Sequence, residues 1–100
     1  MSESTDVRLR IEAILADHPV VLFMKGTREA PSCGFSAATV GALNDLLENY
    51  HTVNVLADEA IRQGIKEYAN WPTIPQLYVK GELVGGADIV RSMVTSGEMH

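Results

Sequence analysis

The chain has 100 residues, of which 46% are hydrophobic and 21% charged, and its formal net charge is −5 at pH 7. Such a chain is long enough for one domain with a modest core, and this composition excludes a disordered protein. Only eight lysines and arginines are present, without a basic run, which disfavours nucleic acid as a partner. No apolar run approaches the roughly 20 residues that a membrane span needs.

The first quarter of the sequence predicts a helix and then a buried strand. Apolar residues recur at helical spacing from Val7 to Leu15. Thr5 and Asp6 are suited to be the cap and first turn of this helix, and His18-Pro19 end it. The run at residues 20–24 is short and entirely apolar, as is typical of a strand buried on both faces. The polar stretch KGTREAPS at 25–32 then predicts a loop.

The middle of the chain predicts a second helix, a second strand and a third helix. From residue 34 the apolar side chains follow one helical face again, and HTVNVL at 51–56 alternates as a strand does. The two strands with the helix between them have the length of a parallel crossover. Asp58 is suited to cap a third helix, which the prolines of NWPTIP at 70–75 close.

The last third predicts a hairpin and a final helix. QLYV and ELVGG flank Lys80-Gly81, a two-residue connection in which glycine allows a positive φ. A helix over residues 89–94 follows. The order αβαβαββα predicts an α/β fold with a mixed four-stranded sheet and helices on both faces, in a single domain over residues 1–100.

Cys33 is the only cysteine, and it stands where the first loop enters a helix. A helix N-terminus favours the thiolate, and Lys25 and Arg28 would add positive charge if the loop folded back. Ser36 can hydrogen-bond the sulfur but cannot resolve a mixed disulfide, so CGFS is a CxxC frame without its second thiol. A buried structural cysteine is the alternative interpretation.

Cysteine use also bears on the compartment. One cysteine cannot form an internal disulfide framework, which suits a reducing compartment, and no signal peptide is visible. We therefore expect a cytoplasmic protein. The histidines His18, His51 and His100 lack metal-ligand spacing and are expected at the surface.

Several separated motifs resemble those of the CGFS-type monothiol glutaredoxins, a family with the thioredoxin-like fold. The resemblance covers residues from about 7 to 97, and the motifs are MKGT at 24–27, PSCGFS at 31–36, IRQGIKEY at 61–68, NWPTIPQLYVKGELVGG at 70–86 and the following Asp88. It implies a glutaredoxin fold, with Cys33 as both the catalytic thiol and the ligand of a metal cluster.

The resemblance also implies a glutathione site. Lys25 and Arg62 match the family's positions for the glycyl carboxylate, with Lys66 one helical turn from Arg62 and able to assist. Asp88 matches the partner of the ammonium group. The remaining implied contacts are Thr73, Ile74, Pro75, Gly86 and Ala87, with a cis bond before Pro75 and accessible backbone N–H groups at Gly85-Gly86. Without the resemblance, the three cations would be interpreted as solvated surface charges.

Two functions follow as expectations from the resemblance. The first is a carrier of a 2Fe-2S cluster that a homodimer shares, with one Cys33 from each chain and two glutathiones supplying the four thiolates. The same face would form a mixed complex with a BolA-like partner and would deliver clusters to apo iron-sulfur proteins. The alternative is a glutathione-dependent oxidoreductase that removes glutathione from proteins by a monothiol mechanism.

One position departs from the family pattern. Many relatives have cysteine in a GGCD segment, whereas this sequence has Ala87 in GGAD. An internal disulfide with Cys33 is therefore impossible, and any contact between Ala87 and glutathione is expected through the backbone.

Overall fold

The computed structural model describes residues 3–46, 50–86, 89–90 and 92. The elements are α1 (Glu3–Asp17), β1 (Val20–Met24), α2 (Gly34–Leu46), β2 (His51–Asn54), α3 (Glu59–Tyr68), β3 (Gln76–Val79) and β4 (Glu82–Gly85). The strands form one mixed sheet in the order β2-β1-β3-β4, with β1 parallel to β2 and antiparallel to β3. The predicted α/β fold is thereby confirmed.

The central strand β1 divides the core into two layers. Val21 and Phe23 point to one face of the sheet and Leu22 and Met24 to the other, and all four are fully buried. Full burial of such a side chain stabilises the fold by about 1.5–3 kcal/mol. The first face packs against residues of α1 and α3, and the second against residues of α2. Helices therefore cover both faces, as the sequence predicts.

Helices α1 and α3 approach each other closely at Gly64. A Cβ atom there would collide with the side chain of Val7. The start of α3 is also tied to α1, because the Asp58 carboxylate accepts the Ile61 N–H at 3.2 Å and pairs with Arg10. The predicted cap at Asp58 is confirmed.

The predicted start of α1 is wrong by a few residues. The helix begins at Glu3, so Thr5 lies inside it and does not cap it. Acidic residues near a helix start are favoured by the positive end of the helix dipole, so a polar sequence does not prevent a helix from beginning there. An apolar pattern that begins at Val7 cannot locate a polar first turn.

The hairpin between β3 and β4 is confirmed, with φ values of 52° at Lys80 and 83° at Gly81. Of the last predicted helix, Ile89 and Val90 are helical and Val90 is fully buried, while Met93 and Val94 lie outside the described residues. Within the described part of the chain, none of the helices combines the length and the apolar character that crossing a membrane requires.

Candidate functional site

Residues 25–33, called here the thiol loop, connect β1 to α2 and are closed at their base by main-chain hydrogen bonds. The Lys25 carbonyl accepts the Ser32 N–H at 2.8 Å. Gly26 has a φ of 91°, and a Cβ atom there would lie 2.6 Å from the Ala30 carbonyl oxygen, so only glycine fits. The Asn54 side chain, from the end of β2, accepts the Gly26 N–H at 2.9 Å and the Leu56 N–H at 3.0 Å.

Cys33 occupies the N-cap position of α2. Its carbonyl accepts the first helical hydrogen bond from Ala37 at 2.9 Å, and its sulfur accepts the Ser36 N–H at 3.3 Å, in the place where a capping oxygen usually lies. The side chain is half-buried and belongs to neither core cluster. This geometry favours the reactive interpretation of Cys33 over the structural one.

The Ser36 hydroxyl is placed to stabilise the thiolate. Ser36 is fully buried, its oxygen accepts the Lys25 N–H at 3.1 Å, and the same oxygen lies 3.3 Å from the Cys33 sulfur. Because the Lys25 amide already donates to this oxygen, the hydroxyl proton remains available to a sulfur anion. Ser36 therefore acts as a fixed donor where a CxxC motif would have its second thiol.

The pKa of Cys33 lies below its ordinary value. Partial burial acts to raise this pKa, but the hydrogen bonds from the Ser36 side chain, the Ser36 backbone and the Phe35 backbone, together with the charge of Lys25, outweigh it. The expected contribution of Lys25 is thus present. The guanidinium carbon of Arg28 lies 4.2 Å from the ring centroid of Tyr50.

Residues 71–75, called here the proline loop, form the opposite side of the site. The Ile74-Pro75 bond is cis, as the resemblance implies. The loop is held by Gln76, a fully buried residue whose amide donates to the Trp71 carbonyl at 2.9 Å and to the Thr73 carbonyl at 3.1 Å. The Gln76 oxygen in turn accepts the hydroxyl of Tyr78 at 2.8 Å.

A groove of about 430 Å³ lies between the two loops, within the size range of small-molecule sites. It is lined by Lys25, Phe35, Lys66, Pro72, Thr73, Ile74 and Pro75. In the described part of the chain no acidic group lies within ion-pair distance of Lys25 or Lys66. Two uncompensated cations beside an apolar floor suit a ligand that carries a carboxylate.

The structure brings together most of the site residues predicted from the sequence. Five of them, Lys25, Lys66, Thr73, Ile74 and Pro75, line this one groove. Arg62 stands one helical turn before Lys66, and its buried Nε has no hydrogen-bond partner among the described residues. A Cβ at Gly86 would lie 3.3 Å from the Pro75 carbonyl oxygen, so Gly86 adjoins the proline loop. Ala87 and Asp88 lie outside the described residues.

A slightly larger cavity, of about 470 Å³, lies between α1 and α3. Its lining includes Arg8, Glu59, Gln63 and Glu67, with acidic and basic groups intermixed. The lining of the other groove includes Lys25 and Phe35, which stand at the start of the thiol loop and two residues after Cys33. We therefore assign the functional site to the groove beside Cys33.

Sequence reasoning missed three polar residues that fix the two loops. Gln76 has a detectable signal, since it is a polar residue in a strand that is otherwise buried and apolar. Asn54 and Asn44 give no such signal, because each is an ordinary polar residue in its own segment. Asn44 lies on α2 and contacts Arg28. His18 and His51 are partly exposed and stack with their ring centroids 3.9 Å apart, while His100 lies outside the described residues.

Comparison with protein families gives one consistent result. Residues 20–84 match the model of the family described as glutaredoxin. The chain is 52% identical over 99 residues to monothiol glutaredoxin-5, mitochondrial, of Saccharomyces cerevisiae, a match that covers 96% of this chain and 66% of that protein. It is 51% identical over 95 residues to an uncharacterized monothiol glutaredoxin of Synechocystis, covering 95% of this chain and 89% of the other.

Among solved structures, the solution structure of reduced apo GrxS14 from poplar is similar, with a TM-score of 0.83 and 44% identity. The match covers 99% of this chain and 91% of the poplar chain. The first four curated relatives are longer proteins, of whose length this chain spans between 18% and 66%.

Proposed function

This chain belongs to the glutaredoxin family, among its monothiol members, and from that premise we propose that it binds glutathione and carries a 2Fe-2S cluster shared between two protomers. The observation that carries the proposal is the juxtaposition of one activated thiol with a cation-lined groove. Cys33 immediately precedes α2 and stands two residues before Phe35, which lines the groove together with Lys25 and Lys66. In this function the 2Fe-2S cluster is the group that the protein carries and passes on.

Glutathione suits the groove by its chemistry. It is a small extended peptide with a carboxylate at each end and a thiol between them, so it needs cations and backbone hydrogen-bond partners near a reactive sulfur. Lys25 and Lys66 would supply charged donors for the glycyl carboxylate. Arg62, one helical turn before Lys66, would assist if its guanidinium exchanged the ion pair that it makes with Glu59 at 3.7 Å. The proline loop offers its backbone to the peptide in β fashion. We propose Gly86, Ala87 and Asp88 for the γ-glutamyl end.

The donor set of the chain fits a cluster that is completed from outside. A 2Fe-2S cluster is held by four ligands, preferably thiolates, and this chain has one cysteine. No group of three or more potential ligands lies together in the described ranges. Two Cys33 sulfurs and two glutathione sulfurs make the smallest complete set of thiolates. Because half of these are exchangeable small molecules, we expect a cluster that can be transferred to apo proteins, alone or with a BolA-like partner.

Anaerobic reconstitution with iron, sulfide and glutathione tests this function. We expect one cluster for two chains, seen as a coloured dimer by absorption, iron and sulfide analysis, and size-exclusion mass. Both Cys33→Ser and the omission of glutathione should abolish it. A stable cluster on Cys33→Ser, or equal yield without any added thiol, would contradict the proposal.

The lowered pKa of Cys33 also favours a second function, deglutathionylation. The Cys33 thiolate would attack the glutathione sulfur of a protein-glutathione disulfide, which forms a Cys33-glutathione disulfide and releases the protein thiolate. A second glutathione thiolate would then attack the bound glutathione sulfur, which yields glutathione disulfide and restores Cys33. Turnover of a glutathionylated peptide by a chain that fails reconstitution would move this function to first place.

Affinity for glutathione is tested separately by calorimetry. We expect Lys66→Ala and Arg62→Ala each to weaken binding about fivefold, the effect of losing one charged hydrogen-bond partner in a partly exposed site. Lys80→Ala is the matched control, because Lys80 is an exposed lysine in the β3-β4 turn and does not line the groove. Equal affinity in all three variants would place the ligand elsewhere.

A further inference from the structure

The tip of the thiol loop is a four-residue turn that presents one arginine to the rest of the fold. Thr27 and Ala30 exchange main-chain hydrogen bonds of 3.2 Å and 3.1 Å, which close the turn. The Thr27 hydroxyl accepts the Ala30 N–H as well, at 3.0 Å. Arg28 and Glu29 are left at the tip, and Arg28 is half-buried although it belongs to a surface loop.

Arg28 reaches two elements outside the loop. Its Nε donates to the Asn44 side-chain oxygen of α2 at 3.0 Å, and its guanidinium carbon lies 4.2 Å from the ring centroid of Tyr50, next to β2. The Tyr50 hydroxyl donates to the same Asn44 oxygen at 2.8 Å. Burial raises the pKa of Tyr50 in spite of the nearby Arg28 charge, so this phenol stays a donor at neutral pH.

We propose that Arg28, Asn44 and Tyr50 form a positioning cluster that fixes the tip of the thiol loop against α2 and thereby sets the position of Lys25 relative to Cys33. Lys25 and Cys33 are the two ends of this loop, and α2 begins immediately after Cys33. Asn44 lies on that same helix. The cluster therefore connects the tip of the loop to the helix that Cys33 immediately precedes.

Without the cluster, only the base of the thiol loop would be held in place. The base of the loop is held by backbone hydrogen bonds and by Asn54, but those contacts stop at Gly26 and Ser32. Freed from Asn44 and Tyr50, the tip would sample more conformations, and this motion would reach Lys25 through Gly26, its neighbour in the chain, where the contacts of the base end. The charge and the amide of Lys25 both act on the Cys33–Ser36 pair, so the readout of this motion is the reactivity of the thiol.

The cluster is expected to matter for the site more than for global stability. Asn44 is exposed and Arg28 and Tyr50 are only half-buried. Exposed charge contacts contribute little to the free energy of unfolding. A purely structural role and a positioning role therefore predict different results.

The test is the rate of Cys33 alkylation by iodoacetamide at one fixed pH, measured together with urea unfolding of the same variants. Arg28→Ala and Asn44→Ala should each slow this alkylation about threefold to fivefold, the order of one partly exposed electrostatic contact. The double variant should be no slower than the slower single variant, since both remove one cluster. Arg28→Lys should recover only part of the rate, because lysine keeps the charge and loses the Nε donor.

Arg8→Ala is the matched control, because Arg8 also bonds a side chain and lies over a tyrosine ring, but on α1. It should leave the alkylation rate unchanged. Arg28→Ala with a native unfolding midpoint and an unchanged alkylation rate would overturn the proposal. If Arg28→Ala does not fold, Tyr50→Phe, which keeps the ring and loses only the hydroxyl, decides by the same criterion.

The inference rests on the proposed function only where glutathione is concerned. When glutathione binding is measured by calorimetry, Arg28→Ala should weaken it by about the same threefold to fivefold. A wild-type chain that does not bind glutathione would contradict the proposed function, while the alkylation rates of the variants would still test the positioning cluster. Normal glutathione binding by the wild-type chain, with an unchanged alkylation rate in Arg28→Ala, would contradict the positioning cluster and leave the proposed function standing.

Discussion

The two loops that border the groove are fixed from different sides of the molecule. The proline loop is held from the core, by a buried Gln76 amide that bonds two of its carbonyls and is itself bonded by Tyr78. The thiol loop is held from the surface side, by half-buried Asn54 at its base and by Asn44 and Tyr50 at its tip.

This difference bears on how each loop responds to mutation. A buried polar residue with satisfied hydrogen bonds leaves its partners unpaired when it is removed, which costs stability. A surface contact is partly replaced by water. We therefore expect damage to the proline loop to affect stability and site together, and damage to the thiol loop to affect mainly the site.

The largest effect is expected for Gln76→Met. Methionine fills a similar volume but leaves the Trp71 and Thr73 carbonyls without their donor, so the free energy of unfolding should fall by about 2–3 kcal/mol. Urea denaturation monitored by circular dichroism measures it. Tyr78→Phe, which removes one bond to Gln76 and keeps the ring, should cost about 1 kcal/mol. If Gln76→Met lowered the free energy of unfolding by less than the variants of the thiol loop do, the proposed difference between the two loops would be wrong.

A smaller loss of stability is expected for Asn54→Ala. The substitution removes one oxygen that accepts two backbone N–H groups at the base of the thiol loop. Because these groups are only partly buried, the free energy of unfolding should fall by about 1–2 kcal/mol. Asn54→Asp is the control, since a carboxylate oxygen can still accept both bonds. If Asn54→Asp were as unstable as Asn54→Ala, these hydrogen bonds would not explain the loss.

Ser36→Ala tests the hydrogen bond that the Ser36 side chain provides to Cys33 itself. Removal of the hydroxyl takes away the side-chain hydrogen bond that lowers the pKa of Cys33, so that pKa should rise. Alkylation near neutral pH should slow about tenfold, the effect of one hydrogen bond to a charged group. Ser36→Thr keeps the hydroxyl and provides the control. An unchanged profile would mean that the helix terminus and the backbone donors suffice.

The smallest effect is expected for the pH dependence of stability that comes from His51, a neighbour in the chain of Tyr50, which contacts the tip of the thiol loop. Burial, and then the neighbouring His18, lower the pKa of His51, which follows Tyr50 in the chain. The unfolded chain therefore takes up this proton more readily than the folded one, and stability should decline as pH falls through the ordinary histidine value of about 6.5. His51→Gln should flatten urea midpoints measured between pH 7.5 and pH 5.5, values chosen about one unit either side of that pKa. An equal decline in this variant would assign the effect to other groups.

The sequence is informative about this fold wherever the signal is local. Helical spacing, the apolar run at 20–24, the cap at Asp58 and the Lys80-Gly81 turn all predict structure correctly, because each depends on neighbours along the chain. The start of α1 is the local feature predicted wrongly, since a polar first turn has no apolar pattern. The family motifs add five of the groove residues and the cis bond before Pro75, whereas the change from loop composition to helical spacing already predicts Cys33 at a helix start. The cytoplasmic location stays a prediction.

The sequence by itself therefore determined the type and order of the elements, the family, and the position of a lone thiol at the start of a helix. Only the tertiary structure decided what holds the loops around that thiol. Asn54 bonds Gly26 across 28 positions of sequence and Arg28 bonds Asn44 across 16, and such pairs form only when packing of the sheet and α2 brings distant segments together. Their side chains are ordinary within their own segments, because a hydrogen bond depends on distance and direction in space, which spacing along the chain does not encode.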